Sequence, residues 1–505
     1  MKQLSPLDSL FYHMETPSQP MVIATLWICD QSKAPNGIVR HKEILQYVES
    51  RLSTNSMFRR RLQPAPLELD EPYWLEDENF DLEYHVRHVG LPQPGDWRQL
   101  CIFTSRLMSR SMDKERAPWE LYIIEGLNNV EGVPENSFAV LLRMHHAYAD
   151  GKTGIEMSKA LLESSPHSDF DNRAPVYVER APTRVEMWSR TAPRLFSQGY
   201  RSLKAGWKTT GKGLQLLNKL KEEARPDQNH APQTIFNTRV SPHRTYGTLT
   251  WKIPELTAMR QLSKGASLND VILGIVAGGL RRYLKKHDAL PDNDSLISMC
   301  PVAVRSEAAK DAGGNLVSSM YIAAGTDVED PVERLGLIHE RTSRAIPLAR
   351  NEIAGLSDNA LEVVPPYLRQ ALFWGANKLN VGSKWPAFNA IVTNVPGPVG
   401  MEKKYFAGAE LVNMYPLVPI ANGCAITHGI TGVYDQLNLG VLSDRVVVTD
   451  MDFYIECMKE STEEYRQRLQ QLLDEQQRAA DTEDDKAKTV KKTARKNDQP
   501  ITEKP

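Results

Sequence analysis

The sequence predicts an α/β protein of two lobes, on three observations. At 505 residues the chain exceeds what one simple core organises, so two domains of ordinary size or a pseudo-symmetric pair are expected. Short apolar, β-branched runs alternate with helical patterns along most of its length. The two halves, separated by a stretch rich in Pro, Arg and Lys, have similar composition. Hydrophobic residues at 41%, charged residues at 25% and a formal net charge of -2 describe an ordinary globular chain, and whole-chain charge gives no reason to expect a nucleic-acid partner.

The apolar run Pro20–Ile28 suits a buried strand. His41–Leu52 then sets Ile44, Leu45, Val48 and Leu52 on one helical face, and Asp96–Met108 repeats the pattern with Leu100, Phe103, Leu107 and Met108. Between them Trp74 and the run Tyr84–Val89 read as strands, followed by strands at Glu120–Leu127 and Ser137–His146. The last of these runs into Ala147-Tyr148-Ala149-Asp150-Gly151, a turn, and a helix is predicted over Lys152–Glu163. From about residue 164 to 240 the pattern lapses. Within it, Arg184–Arg225 has a basic excess interleaved with Trp188, Phe196, Tyr200 and Trp207, which reads either as a connector with a solvated basic face or as a patch for lipid headgroups or an anionic cofactor.

The second half offers a strand at Tyr246–Pro254, an apolar helix at Ser267–His287 and strands at Leu296–Arg305 and Leu316–Gly325. Helices follow at Pro331–Ile346 and Pro365–Leu379, then strands at Asn389–Pro398, Ile426–Asp435 and Gln436–Asp444, and a helix at Tyr465–Gln477. Arg478–Pro505 has almost no large apolar residue to offset the entropy of ordering and is expected to be disordered. The division is therefore 1–165, a first lobe; 166–240, a basic crossover; 241–477, a second lobe; and 478–505, a charged tail.

The first residues lack a basic start followed by a long apolar run, so no secretory signal is expected and the compartment is read as cytoplasmic. No apolar stretch reaches the roughly 20 residues of a spanning helix, which makes any lipid contact peripheral. Cys29, Cys101, Cys300, Cys424 and Cys457 are far apart and read as reduced and buried. No metal is expected: His145 and His146 are neighbours on a strand and point to opposite faces, without an accompanying HExxH or CxxC.

The chemistry concentrates where the strand ending at His145-His146 meets Asp150-Gly151, the pattern HHxxxDG. A neutral imidazole, with an ordinary pKa of roughly 6.5, takes a proton from a hydroxyl at neutral pH. Asp150 can return from the turn to fix the loop, and Gly151 permits a tight path into the helix. Two strand histidines before a plain turn would be the structural alternative, but the position between an apolar strand and a helix favours chemistry. Asn269 and Asp270 open the apolar helix, so they read as a helix cap or as support for a site, and an Asn amide is the kind of donor that a developing oxyanion needs. Trp119 reads as packing or as a pocket wall.

These features together resemble the bacterial wax ester synthase/diacylglycerol acyltransferases of the CoA-dependent acyltransferase superfamily, which also holds chloramphenicol acetyltransferase and the condensation domains of peptide synthetases. The resemblance runs from Leu4–Phe11 (LSPLDSLF) to about Leu472 and rests on HHxxxDG, Arg116-Ala117-Pro118-Trp119-Glu120, Asn269-Asp270, Pro301–Arg305 followed by Gly314-Asn315, and Asn394–Pro398. Ala117-Pro118-Trp119 stands where the family usually has Pro-Leu-Trp, and Met21-Val22-Ile23-Ala24 also departs from its relatives. The resemblance implies two chloramphenicol-acetyltransferase-like lobes with mixed sheets and an active-site channel between them. It implies that His146 is the base, with His145 in a supporting role, Asp150 and Gly151 holding the loop, and the pair Asn269-Asp270 facing the channel. The reaction implied transfers a fatty acyl group from acyl-CoA to a long-chain alcohol and to diacylglycerol, with no metal or prosthetic group. The partners implied are those substrates and, peripherally, a membrane or lipid droplet. A condensation-type enzyme using a carrier-protein thioester and a non-catalytic lipid-droplet binding protein are the alternatives.

Overall fold

The computed structural model describes residues 2–128, 130–148, 153–167, 180, 182–197, 230–303, 317–349, 364–400 and 402–497. Among these residues the strands form two mixed six-stranded sheets and one three-stranded sheet. The first six-stranded sheet runs Tyr405–Phe406, Ala409–Leu417, Val22–Asp30, Ser137–His145, Trp119–Glu125, Val86–Gly90. Ser137–His145 is buried at every position, as its unbroken apolar run requires of a strand covered on both faces. It pairs antiparallel with Val22–Asp30 without a break from Val22 opposite His145 to Asp30 opposite Ser137.

The second sheet runs Val317–Ala323, Ile297–Ala303, Ala390–Val395, Ile426–Val433, Gln436–Asp444, Arg244–Lys252. On it packs the helix Leu268–Lys286, predicted from its apolar pattern and started by a capping box between Ser267 and Asp270. Gly278 and Gly279 bring this helix against the C-terminal helix Met451–Asn497: a Cβ at Gly278 would stand 2.1 Å from Ser461 Oγ, and one at Gly279 would stand 2.3 Å from Met458 Sδ.

The two lobes exchange chain. Ala409–Leu417 lies within residues 241–477, the stretch read as the second lobe, yet it hydrogen-bonds along Val22–Asp30 in the first sheet. Pro416 on that strand also crosses close to the second sheet, where Gly440 admits it; a Cβ there would meet Pro416 O at 2.0 Å. An apolar cluster joins Leu100, Leu107 and Leu141 of the first lobe to Tyr246 and Leu442 of the second, and Trp97 Nε1 donates to Thr248 Oγ1 at 2.8 Å. The two lobes are therefore fixed to one another by a strand, an apolar cluster and a hydrogen bond.

Several expectations are corrected. Tyr84 and His85 belong to a single helical turn, Leu82–His85, begun by the Asp81 side chain, and the strand starts only at Val86. The helix expected over Lys152–Glu163 is observed over Thr153–Ala160. The last helix begins at Met451 and continues to Asn497, through much of the tail expected to be disordered. Its buried first part, with Tyr454, Met458 and Tyr465, meets the nucleation cost, and Ala, Glu, Gln, Lys and Arg, good helix formers, continue the sequence. Gln470–Asp474 and Gln477–Asp481 pair one turn apart along it. Most of the basic crossover at 166–240, including Trp207, lies outside the described residues.

Gly278→Val should force the two helices apart and lower stability by roughly 1–3 kcal/mol, the scale of overpacking in a filled core; a melting temperature unchanged from wild type in a thermal unfolding scan would refute the close packing.

Candidate active site

The strand Ser137–His145 ends where its neighbours pin it. His145 N–H donates to Pro118 O (3.0 Å), His146 N–H donates to Met21 O (2.7 Å), and Tyr148 N–H closes a turn on His145 O (2.9 Å). The two adjacent histidines consequently diverge into different surroundings.

His145 is buried. Its Nδ1 accepts from Ala147 N–H at 3.1 Å, which leaves the ring proton on Nε2, and Nε2 stands 3.5 Å from Glu15 Oε2. That separation is an electrostatic contact and not a formed hydrogen bond. Glu15 Oε2 is also 3.0 Å from Lys114 Nζ, and Glu15 Oε1 accepts from Met21 N–H at 3.3 Å. Burial alone would raise the Glu15 pKa, but the His145 contact and the Lys114 ammonium outweigh it and hold the carboxyl down to about 2. Glu15 thus grips the site twice, through the His145 ring and through Met21, whose carbonyl anchors His146.

His146 keeps some accessible surface although it lies deep in the molecule. Its ring stacks on Phe11, with centroids 3.7 Å apart and planes 19° apart. Nδ1 is buried and has no hydrogen-bond partner among the described residues. Burial pushes the His146 pKa down to about 4, helped by neighbouring His145 and opposed by an interaction with its own main chain, so the ring is neutral at neutral pH. Phe11 reaches it because Leu4–Phe11 encodes a helix start: Ser5 Oγ accepts from Asp8 N–H (3.1 Å), Pro6 occupies the first turn, and the helix Pro6–Met14 presents Phe11 inward.

The remaining predicted residues sit elsewhere. Asp150 and Gly151 lie outside the described residues, as do Gly314 and Asn315. Asp270 is buried and binds its own helix start through Ser267 N–H (2.7 Å); it also meets Thr342 Oγ1 (2.7 Å) and His339 Nδ1 (3.0 Å). That set of partners clamps two helices. Asn269 Oδ1 accepts from Asn394 Nδ2 at 2.8 Å, a bond that uses the amide oxygen and not its N–H groups and joins two of the sequence motifs. The observed hydrogen bonds of the pair do not run to His145 or His146. Trp119 is fully buried, donates from Nε1 to Phe58 O (2.7 Å) and stacks on His85; with no accessible surface it packs the core and does not wall a pocket.

Sequence reasoning missed Phe11, Glu15 and Lys114. Phe11 was inside a recognised motif without a role. Nothing local distinguishes Glu15 from any surface glutamate, because its partner His145 is far along the chain. What the site offers chemically is a neutral imidazole at a strand end, fixed by stacking and a main-chain hydrogen bond, beside a second imidazole whose tautomer is set by the Ala147 N–H.

Residues 4–272 match the wax ester synthase/diacylglycerol acyltransferase catalytic domain, and residues 313–466 match the WS/DGAT C-terminal domain. A Mycobacterium tuberculosis protein named as a diacylglycerol O-acyltransferase, tgs2, is 30% identical over 481 residues, spanning 92% of this chain and 99% of that protein. The solved wax ester synthase/diacylglycerol acyltransferase from Marinobacter aquaeolei VT8 superposes with a TM-score of 0.64 at 26% identity, covering 93% of this chain and 100% of that one. The first condensation domain of the calcium-dependent antibiotic synthetase shares the fold alone, with a TM-score of 0.51 at 10% identity over 92% of this chain and 95% of that one.

Because the folded Glu15 carboxyl titrates near 2, below its ordinary value of 4.5, its stabilisation is complete above the unfolded pKa and is lost as pH falls through the folded one. Urea unfolding of wild type and Glu15→Gln should therefore show a gap in midpoint at pH 6 that narrows by pH 3; parallel behaviour at both pH values would remove the Glu15 charge from the account.

Proposed function

This chain belongs to the wax ester synthase/diacylglycerol acyltransferase family, and on that premise we propose how its residues carry out acyl transfer. It is an O-acyltransferase that moves a fatty acyl group from acyl-CoA to an acceptor hydroxyl. The acceptors we propose are a long-chain alcohol, giving a wax ester, and diacylglycerol, giving triacylglycerol.

The observation that carries the mechanism is the His146 ring: neutral, stacked on Phe11 and still reachable. As the acceptor oxygen attacks the thioester carbonyl, His146 takes the hydroxyl proton. The tetrahedral intermediate then collapses with cleavage of the C–S bond. The proton passes from the imidazolium to the departing thiolate, so ester and free CoA leave and the ring is neutral again. A pKa near 4 marks a weak base on its own, but the imidazolium forms together with an oxyanion beside it. Their attraction in a dry site offsets much of the cost of charging the ring. His145 acts as a positioning residue through the Ala147 turn, and the amide of Asn269 is the candidate donor to the oxyanion. A thioester is already activated for attack, so the reaction as proposed calls for no metal or prosthetic group.

Among the described residues no helix is long and apolar enough to cross a membrane. Acyl-CoA arrives from water and the acceptors reside in lipid, which supports work at the cytoplasmic surface of a membrane or a lipid droplet.

Purified protein given palmitoyl-CoA should release free CoA thiol on addition of hexadecanol or diacylglycerol, and His146→Ala should lower that rate by roughly a hundredfold or more, the usual scale of general-base loss. Release that survives in His146→Ala would refute the assigned base; no release with either acceptor from folded wild type would point to a carrier-protein donor or a lipid-binding role.

A further inference from the structure

The helix Pro366–Lys378 is built inside out. Its polar side chains face the protein: Arg369 is buried, ion-pairs with Glu71 and donates from Nη1 to Pro6 O (3.0 Å). Gln370 donates to Glu68 O (3.2 Å) and lies 3.0 Å from His13 Nε2, and Asn377 pairs with Asn422. Its apolar side chains face away. Leu368, Leu372 and Leu379 form one helical stripe; Trp374 stands at the far edge of the same exposed arc, beyond Tyr367 and Lys378, and Trp385 lies just past the helix. Leu372 is 61% exposed, Trp374 66% and Trp385 72%. An ordinary surface helix does the opposite.

The charge on this face is as one-sided as its polarity. From residue 364 to 400 the sequence contains no Asp or Glu, in a chain with 63 of them. Lys378 and Lys384 are exposed, and the Lys378 ammonium lies 4.7 Å from the centre of the Trp374 ring. No described residue covers the stripe.

We propose that this face docks on the surface of an anionic phospholipid bilayer. Leucines enter the acyl boundary, tryptophans take the headgroup level, and lysines extend along their apolar stems to meet lipid phosphates. A second copy of the chain fits poorly, because a two-fold interface would bring the two lysine-bearing stretches together while residues 364–400 supply no acid of their own to pair them. The placement also suits an acceptor that lives in lipid. Pro366–Lys378 rests on the helix Pro6–Met14 through Arg369–Pro6 and Gln370–His13, and the far side of that same helix carries Phe11 against His146. One helix thus separates the docking face from the reacting ring. The proposal goes beyond the acyl-transfer reading, and its test needs no turnover, so either can fail without the other.

The test is sedimentation of the full chain with vesicles of phosphatidylcholine and phosphatidylglycerol, and with phosphatidylcholine alone. Wild type should bind the anionic vesicles, Leu372→Glu/Trp374→Glu should bind about tenfold or more weakly, and Lys378→Glu/Lys384→Glu should lose the preference for phosphatidylglycerol. Both variants alter exposed side chains, and matching thermal melts would show that they fold. Vesicle binding by Leu372→Glu/Trp374→Glu equal to wild type would overturn the proposal. So would size-exclusion chromatography in which wild type runs as a dimer and this variant as a monomer while neither binds vesicles, since a second copy would then be the occupant.

Discussion

The site hangs on one strand pairing, Val22–Asp30 against Ser137–His145. Its register brings Met21 O to His146 N–H at 2.7 Å and so fixes where the strand stops and the histidine turn begins. The opposite edge of Val22–Asp30 is taken by Ala409–Leu417, which arrives from the other half of the chain. A slip of one residue in this pairing would send every side chain to the opposite face and exchange the surroundings of the two histidines. The exchanged strand makes such a slip costly, because two ladders and the interlobe core must shift with it. The histidine turn is therefore held by both lobes.

Adjacent residues in sequence acquire opposite electrostatic characters from that geometry. His145 points into a buried set with Glu15 and Lys114, where the carboxylate is kept ionised despite burial. His146 points to an apolar stack on Phe11 and is kept neutral by the same burial. A carboxylate contact defines the surroundings of the first ring and an aromatic stack those of the second. Glu15 and Phe11 come from one short N-terminal segment, so that segment touches both rings, His145 through Glu15 and His146 through Phe11.

The N-terminal helix also links the site to the molecular surface. Its inner side touches His146 through Phe11, and its outer side carries the inverted helix Pro366–Lys378 through Arg369 and Gln370. The buried Arg369–Glu71 pair turns that helix's polar side inward and leaves its leucines outside, which exchanges solubility for an apolar face. An enzyme whose acceptors dissolve in lipid gains from such an exchange.

The sequence by itself determined the α/β class, most strands and helices, the family and the strand-end location of His145-His146, because hydrophobic period, turn residues and HHxxxDG are local signals. The helix that begins at Met451 runs on to Asn497, into the stretch whose composition speaks for disorder. The sequence left Trp119 between packing and pocket wall, and its full burial decided for packing. Only the tertiary structure placed Ala409–Leu417 in the first sheet, gave Asp270 to Thr342 and His339, and brought Glu15, Lys114 and Phe11 to the histidines. Each of these is a contact between residues distant in sequence, set by sheet register and helix packing, and no residue's immediate neighbours carry that information.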